Sequence, residues 1–293
     1  MAVTGVKTGR EHARRIVLGL YVVGVLASCI SPALRVQAQV GAVVRPATAL
    51  GPLVNIPQTL NNCGPATVAE VLAYWGVNRT QDEVQAVLRV DGIEHGMVPY
   101  GVPVYARGVG LQALAGTGGT EVLVKVLIEA GFPVIVSQQV SVVDHVGHWR
   151  PIEAYDDTQS VFTASDPYLG QGHTLTYADF DTIWARGGHG FMVLYPASRA
   201  GALRAALARG GWNKKAAYQH DVTRLLARLR SSVPYGAIVG SYSPTRILGF
   251  RYLGLAWDEA QLGRAADARR YLDQATRSGA NPIEVGWISA AIG

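Results

Sequence analysis

The chain has 293 residues, 49% hydrophobic and 16% charged, which excludes a disordered or acidic solvating chain and allows one large domain or a domain with a helical appendage. Its 34 glycines and 14 prolines follow no period, so collagen-like and low-complexity classes fall away. Much of the formal charge of +5 sits in residues 1–38 (Lys7, Arg10, Arg14, Arg15 and Arg35 against Glu11); the rest holds 21 basic and 20 acidic residues, and no nucleic-acid partner is expected.

Lys7 to Arg15 form a basic stretch, and Ile16 to Ala27 an apolar run of 12 residues. That is the size of a signal-peptide core and short for a membrane span. Two exits follow. Leu26-Ala27-Ser28-Cys29 resembles a lipobox, which would acylate Cys29, and Val36-Gln37-Ala38 resembles a signal-peptidase site. The Arg14-Arg15 pair is a partial twin-arginine signal, and an uncleaved anchor is the third reading. Residues 1–38 are therefore expected to be a leader that exports the protein to the periplasm, cell envelope or medium. Any membrane contact would come through that leader or a lipid on Cys29. The exported body then keeps one thiol, Cys63, which has no intramolecular disulfide partner. Burial as a small apolar residue and a chemical task are both open for it.

Residues 39–52 read as a linker. From Cys63 to Trp75 apolar residues recur at helical spacing (Val68, Val71, Leu72, Trp75), with Gly64-Pro65 at the start and Gly76 as the stop. Thr80 caps a second helix, Gln81 to Arg89, with Asp82 and Glu83 in its first turn. Residues 91–119 read as Gly-rich loop with a short helix at Val102–Arg107. Thr120 to Ala130 is a helix ended by Gly131. Strands are expected at 132–137, 148–155, 160–165, 173–177 and 191–195, joined by turns such as Asp156-Asp157 and Asp166-Pro167. Helices followed by an antiparallel sheet make an α+β domain over residues 53–198.

From Gly201 the composition shifts to Ala, Arg and Leu, and helices are expected at 201–209, 213–230, 244–261 and 264–277. Leu253-Gly254, Trp257, Ala268, Leu272, Ala275 and Pro282 fall near the tetratricopeptide pattern, with about two extra residues at the turn. Residues 199–293 are thus a tetratricopeptide-like helical region able to recruit a protein partner, or a helical appendage packed on the first domain.

A thiol becomes a useful nucleophile when ionised, and Cys63 starts a helix, where unpaired N–H groups and the macrodipole favour the thiolate. Among the histidines His148 is best placed as a base, because it opens the strand-like stretch HWRPIEAYDD. Asp166, at a turn before Pro167, is suited to accept the other N–H of that imidazole. Gln58, five residues before Cys63, can present a side-chain N–H toward the same point as the Cys63 backbone amide, as an oxyanion hole requires. His145 is the rival base and Asp156 the rival orienter. His145-x-x-His148 is two ligands without a third, so no metal or other cofactor is expected. Trp149 reads as core or cleft wall, and Trp184 as core.

The ordered set Gln58…Asn62-Cys63-Gly64-Pro65-Ala66, His148-Trp149…Tyr155-Asp156-Asp157 and Asp166-Pro167-Tyr168 resembles the C39-type branch of papain-like cysteine peptidases, over roughly residues 53–195. The resemblance implies a papain-like fold with the nucleophile on a helix and the base on an antiparallel sheet. It implies Cys63 as nucleophile, His148 as general base and acid, Asp166 as orienter and Gln58 as oxyanion donor, acting on a peptide or protein substrate through a thioester. Ala154 replaces the family's Gly before Tyr-Asp, and Pro151 deletes a ladder donor after His148, which belongs on an edge or bulge. No GxxxxGK[ST] run is present, so cleavage of double-glycine leaders during export is not implied. Two other functions use the same residues: an envelope protein that binds peptides without cutting them, and a peptidoglycan amidase or acyltransferase.

Overall fold

The computed structural model describes residues 47–51, 53–92, 95–230 and 243–293; the expected leader, Cys29 and both cleavage sites lie outside them. The chain enters through a two-residue strand, β1 (Thr48–Ala49), and an extended segment leading to α1 (Cys63–Tyr74). Asn61 turns the chain just before α1 with φ 55°, a left-handed conformation that Asn tolerates better than most residues. Every residue of α1 from Cys63 to Leu72 is buried. In α2 (Gln81–Leu88) Thr80 and Glu83 satisfy each other's backbone N–H, the capping box that the Thr80-x-x-Glu83 spacing writes.

A 3-10 turn at Pro99–Gly101 runs into α3 (Val102–Gly108), followed by β2 (Gln112–Gly116) and α4 (Glu121–Glu129). The remaining strands are β3 (Val134–Gln139), β4 (Gly147–Asp156), β5 (Val161–Asp166), β6 (Gly170–Thr176) and, after α5 (Tyr177–Ala185), β7 (Phe191–Tyr195). The described strands form one antiparallel sheet in the order β2-β7-β3-β4-β5-β6, and β1 pairs the far end of β4 through Thr48–Tyr155 and Ala49–Ala154. The α+β reading holds.

Period-two alternation sends successive residues of β3 and β7 to opposite faces of this sheet. Ile135, Met192 and Leu194 pack with α1, α2 and α3; Val134, Val136, Phe191 and Val193 pack with α4 and α5. The C-terminal helices divide between these cores. α6 (Ala200–Arg209) joins the second through Leu203 and Ala206. By contrast α7 (Lys214–Arg230), α8 (Pro244–Gln261), α9 (Ala265–Arg277) and α10 (Pro282–Ile292) join the first, through residues such as Leu225, Leu253, Leu272 and Ile288. Residues on both sides of position 198 therefore share one apolar core. Among the described residues no helix is long and apolar enough to cross a membrane.

Three elements depart from the sequence reading. β2 lies in a stretch read as loop: its QALAG sequence carries little strand propensity, and pairing with β7 from Gln112–Tyr195 to Gly116–Phe191 supplies what the residues lack. A strand over 173–177 begins earlier, at Gly170, and gives way at Thr176, whose hydroxyl caps α5 by accepting from Asp179 N. Pro282, read only as a pattern end, is the first residue of α10, where its missing N–H costs nothing and Asn281 accepts from Ile283 N.

Candidate active site

Cys63 is the first residue of α1 and is 3% exposed. The first turn of α1 carries no acidic side chain, so nothing there offsets the positive end of the helix. The loop before it is braced from α2, because Gln81 Oε1 accepts from Asn62 Nδ2 (2.7 Å) and Thr59 N (2.9 Å), while Arg89 donates to Asn62 Oδ1 (2.9 Å). On the other side Thr67 donates to the Trp149 carbonyl (3.0 Å), which ties α1 to β4 beside His148.

His148, also 3% exposed, sits at the start of β4 with its Nε2 2.9 Å from Asp166 Oδ1. That leaves Nδ1 for the sulfur. The same carboxylate oxygen accepts from Tyr168 N (2.8 Å) and Leu169 N (2.9 Å), so the turn that follows β5 fixes the carboxylate from below while the imidazole is held from above. Pro151 does not disturb this arrangement. It pairs Ile135 of β3, and the β5 ladder begins only one residue later, at Ile152–Ala164, with a bulge between Ile152 and Ala154. The residue without a donor thus stands where β4 has no neighbour on its β5 side, as an edge position allows.

The charges follow the geometry. Burial pushes the Cys63 thiol up, but the hydrogen bond and charge of His148, with backbone N–H groups at Trp149 and Gly64, outweigh it and bring the thiol below its ordinary value. Burial acts downward on His148, and contacts with Asp166 and Cys63 carry it above the usual histidine range. Asp166 is also opposed by burial, yet His148, Arg150 and the Leu169 N–H hold it far below the usual carboxylate range. A thiolate beside an imidazolium, backed by a carboxylate, is the state these shifts favour.

Gln58 lies in the extended segment before α1, and its N–H donates to the Pro167 carbonyl (2.8 Å), so it is joined to the same turn that carries Asp166. Its Oε1 is buried and accepts no hydrogen bond among the described residues. Glu70 of α1 anchors this segment by accepting from Ile56 N (2.8 Å), and Asn55 Nδ2 reaches the Asp166 carbonyl (3.0 Å). Burial pushes the Glu70 carboxyl up to about 8.

The rival residues lie elsewhere. His145 is exposed in the β3–β4 loop with its ring on the Val142 carbonyl (3.1 Å), and Asp156 is the half-buried last residue of β4, accepting from Thr158 N (2.8 Å). Trp184 is fully buried core and donates to the Gly190 carbonyl (2.8 Å). Trp149 is partly buried and lines a cavity beside Cys63.

Two features escaped the sequence reading. Arg150 is wholly buried, with one guanidinium nitrogen 3.2 Å from Asp166 Oδ2 and another donating to the Gln139 (3.1 Å) and Val140 (2.7 Å) carbonyls. Its signal was present: two residues after His148 on a strand means the same face. The second is the cavity itself, about 230 Å³, with Cys63 and His148 on one side and residues of α7 and α8 on the other. No local motif announces that wall.

Among the described residues no group of three or more His, Cys, Asp or Glu side chains is arranged to hold a metal ion. The Peptidase_C39 like family matches residues 51–190. Among solved structures, the peptidase domain of Streptococcus ComA, a bi-functional ABC transporter involved in a quorum-sensing pathway, is similar at 18% identity with a TM-score of 0.40, covering 50% of this chain and 98% of that one. No curated protein matches the chain.

Proposed function

We propose, from the match of residues 51–190 to the Peptidase_C39 like family and from the mixed helix and antiparallel-sheet fold, that the protein is an exported cysteine peptidase working through Cys63, His148 and Asp166. The observation that carries the reading is the buried chain of contacts from the Cys63 sulfur through the His148 ring to Asp166, which favours the thiolate.

In this mechanism the Cys63 thiolate attacks the carbonyl carbon of a peptide bond, and negative charge moves to the carbonyl oxygen. The Cys63 backbone N–H at the helix start and the Gln58 side-chain N–H stabilise that oxyanion. Collapse of the tetrahedral adduct breaks the C–N bond while His148 gives its proton to the leaving amine, and a thioester remains. Water, deprotonated by His148, then attacks the thioester; the acid product leaves and Cys63 regains its resting state. Asp166 keeps the imidazole aimed and stabilises its charged form throughout. The basic, apolar N-terminal stretch and its two exits support export, with release or a lipid on Cys29 as the anchoring choices.

Replacing Cys63 by Ala tests the proposal. Amide hydrolysis and labelling by thiol-directed activity probes should both disappear while circular dichroism stays as in wild type. Hydrolysis by the Ala variant at the wild-type rate would overturn the assignment.

A further inference from the structure

The far wall of the cavity belongs to the C-terminal helices, outside the segment that matches the family. Tyr218 and Asp221 come from α7, and Trp257 and Asp258 from α8. Asp258 is 3% exposed, and its Oδ2 is buried without a hydrogen-bond partner among the described residues. Its carboxyl contacts that of Asp221. Arg224 ion-pairs with Asp221, and the neighbouring Glu259 turns to Arg264 (3.2 Å). The wall therefore presents two carboxyls in contact beside one guanidinium, and an Asp258 oxygen held out of water without a hydrogen-bond partner among the described residues is costly unless a donor arrives to pair with it.

We propose that Asp258 with Asp221 forms a cation-recognising subsite of the Cys63 cleft, taking the side chain of a lysine or arginine residue in a peptide substrate. The inference rests on the reading of Cys63 as the nucleophile and supplies the substrate class that this reading leaves open. Three observations converge on a basic side chain. The unpartnered Asp258 oxygen needs a donor, and two carboxyls in contact favour one that carries positive charge. The ring of Trp257, stacked obliquely on Tyr100 at 5.4 Å, and that of Tyr218 line the same space, and aromatic faces attract ammonium and guanidinium groups. The cavity, at about 230 Å³, is smaller than the roughly 300–1,000 Å³ of pockets that hold whole ligands, so it suits one side chain of a longer substrate lying in the cleft. Burial pushes the Asp258 carboxyl well up, so the empty subsite holds a proton that leaves to solvent when the cation enters.

The test compares full-length protein on peptide sets that differ at a single position, Lys, Arg, norleucine or Glu, scanned on both sides of the scissile bond. Wild type should favour Lys or Arg over norleucine by about tenfold or more in kcat/KM at one position, the scale of a desolvated charge contact. Asp258→Asn, and independently Asp221→Asn, should bring that ratio close to one. In parallel, Cys63→Ala protein titrated calorimetrically with the same peptides should bind the Lys peptide about tenfold more tightly than the norleucine peptide. Cleavage without a Lys or Arg preference, or a preference that survives Asp258→Asn in a folded variant, would overturn the subsite while leaving the peptidase standing. Should Asp258→Asn fail to fold, the wild-type preference and the Asp221→Asn ratio decide. Preferential binding of the Lys peptide with no cleavage of any peptide would remove the peptidase and keep the subsite; neither cleavage nor preferential binding would remove both.

Discussion

Arg150 Nη1 lies 3.2 Å from Asp166 Oδ2, the carboxylate oxygen that His148 does not use. The contact is an ion pair rather than an aligned hydrogen bond, since neither atom finds a hydrogen-bond partner among the described residues. One buried carboxylate is thus shared between an imidazole and a guanidinium from the same face of β4. Removing the guanidinium leaves Asp166 and the Gln139 and Val140 carbonyls short of partners in a dry interior. Arg150→Met should cost about 3–5 kcal/mol in denaturant unfolding, and Arg150→Lys should recover part of it. A cost below about 1 kcal/mol for Met would mean that the pair contributes little.

Gln58 holds the Pro167 carbonyl through its backbone, so truncating its side chain leaves that link in place. Gln58→Ala should lower kcat by about 10²–10³ with little change in KM, the pattern of a donor used mainly in the transition state. The rate at which iodoacetamide alkylates Cys63 should stay within about twofold of wild type. A parallel collapse of alkylation would instead point to a misplaced thiol.

The opposite shifts of Cys63 and His148 define a pH window. Alkylation of Cys63 should rise as the thiol ionises below the ordinary thiol range and then hold level while His148 keeps its proton. His148→Asn removes the charge that opposes burial, so the rise should move to higher pH and the rate at pH 7 should fall by about an order of magnitude or more. An unshifted profile in that variant would separate the imidazole from the thiol's ionisation.

Glu70 gives a stability prediction with a definite sign. Its folded pKa of about 8 lies above the ordinary carboxylate value. Stability linked to it is complete below the unfolded pKa of about 4.3 and is lost as pH rises toward 8, because the unfolded chain ionises first. Glu70→Gln keeps an oxygen for the Ile56 N–H and removes the titration. The difference in melting temperature between variant and wild type should therefore move in the variant's favour from pH 5 to pH 9. A difference that stays constant over that range would sink the assignment.

Trp287 of α10 fills the space over Gly101, where an added Cβ would meet its ring carbons at 2.8 Å. Trp287→Ala should cost about 3–5 kcal/mol in a single cooperative transition that also weakens the sheet-bearing part. Two separated transitions, with the first touching only helical signal, would show that the tail unfolds on its own.

Local chemistry made much of this protein legible. Thr80, Gly131 and Gly76 mark helix ends by mechanisms that need only a few neighbouring residues, and the structure uses each of them so. The order Gln58, Cys63, His148, Asp166 was readable as a pattern, and the fold brings the last three into contact across 103 residues of sequence. What stayed hidden depends on partners far along the chain. β2 is a strand because β7 pairs with it, and Arg150 has a place because Asp166 arrives beside it. Asp258 reads as an ordinary polar residue of a helix until Asp221 and the cavity are set against it.

The apolar interior that runs from α1 to α10 limits how the molecule can be dissected. A fragment ending near residue 198 would retain every side chain assigned to the chemistry, yet it would strip Leu225, Leu253 and Ile288 from the apolar cluster that also holds Val68, Leu72 and Met192. Such a fragment should precipitate or bind hydrophobic dyes, and an inactive truncation would therefore say nothing against Cys63. Grafting a foreign tail onto residues 51–198 would require redesigning a shared interior, which makes the cavity wall and stability inherited together rather than as exchangeable modules.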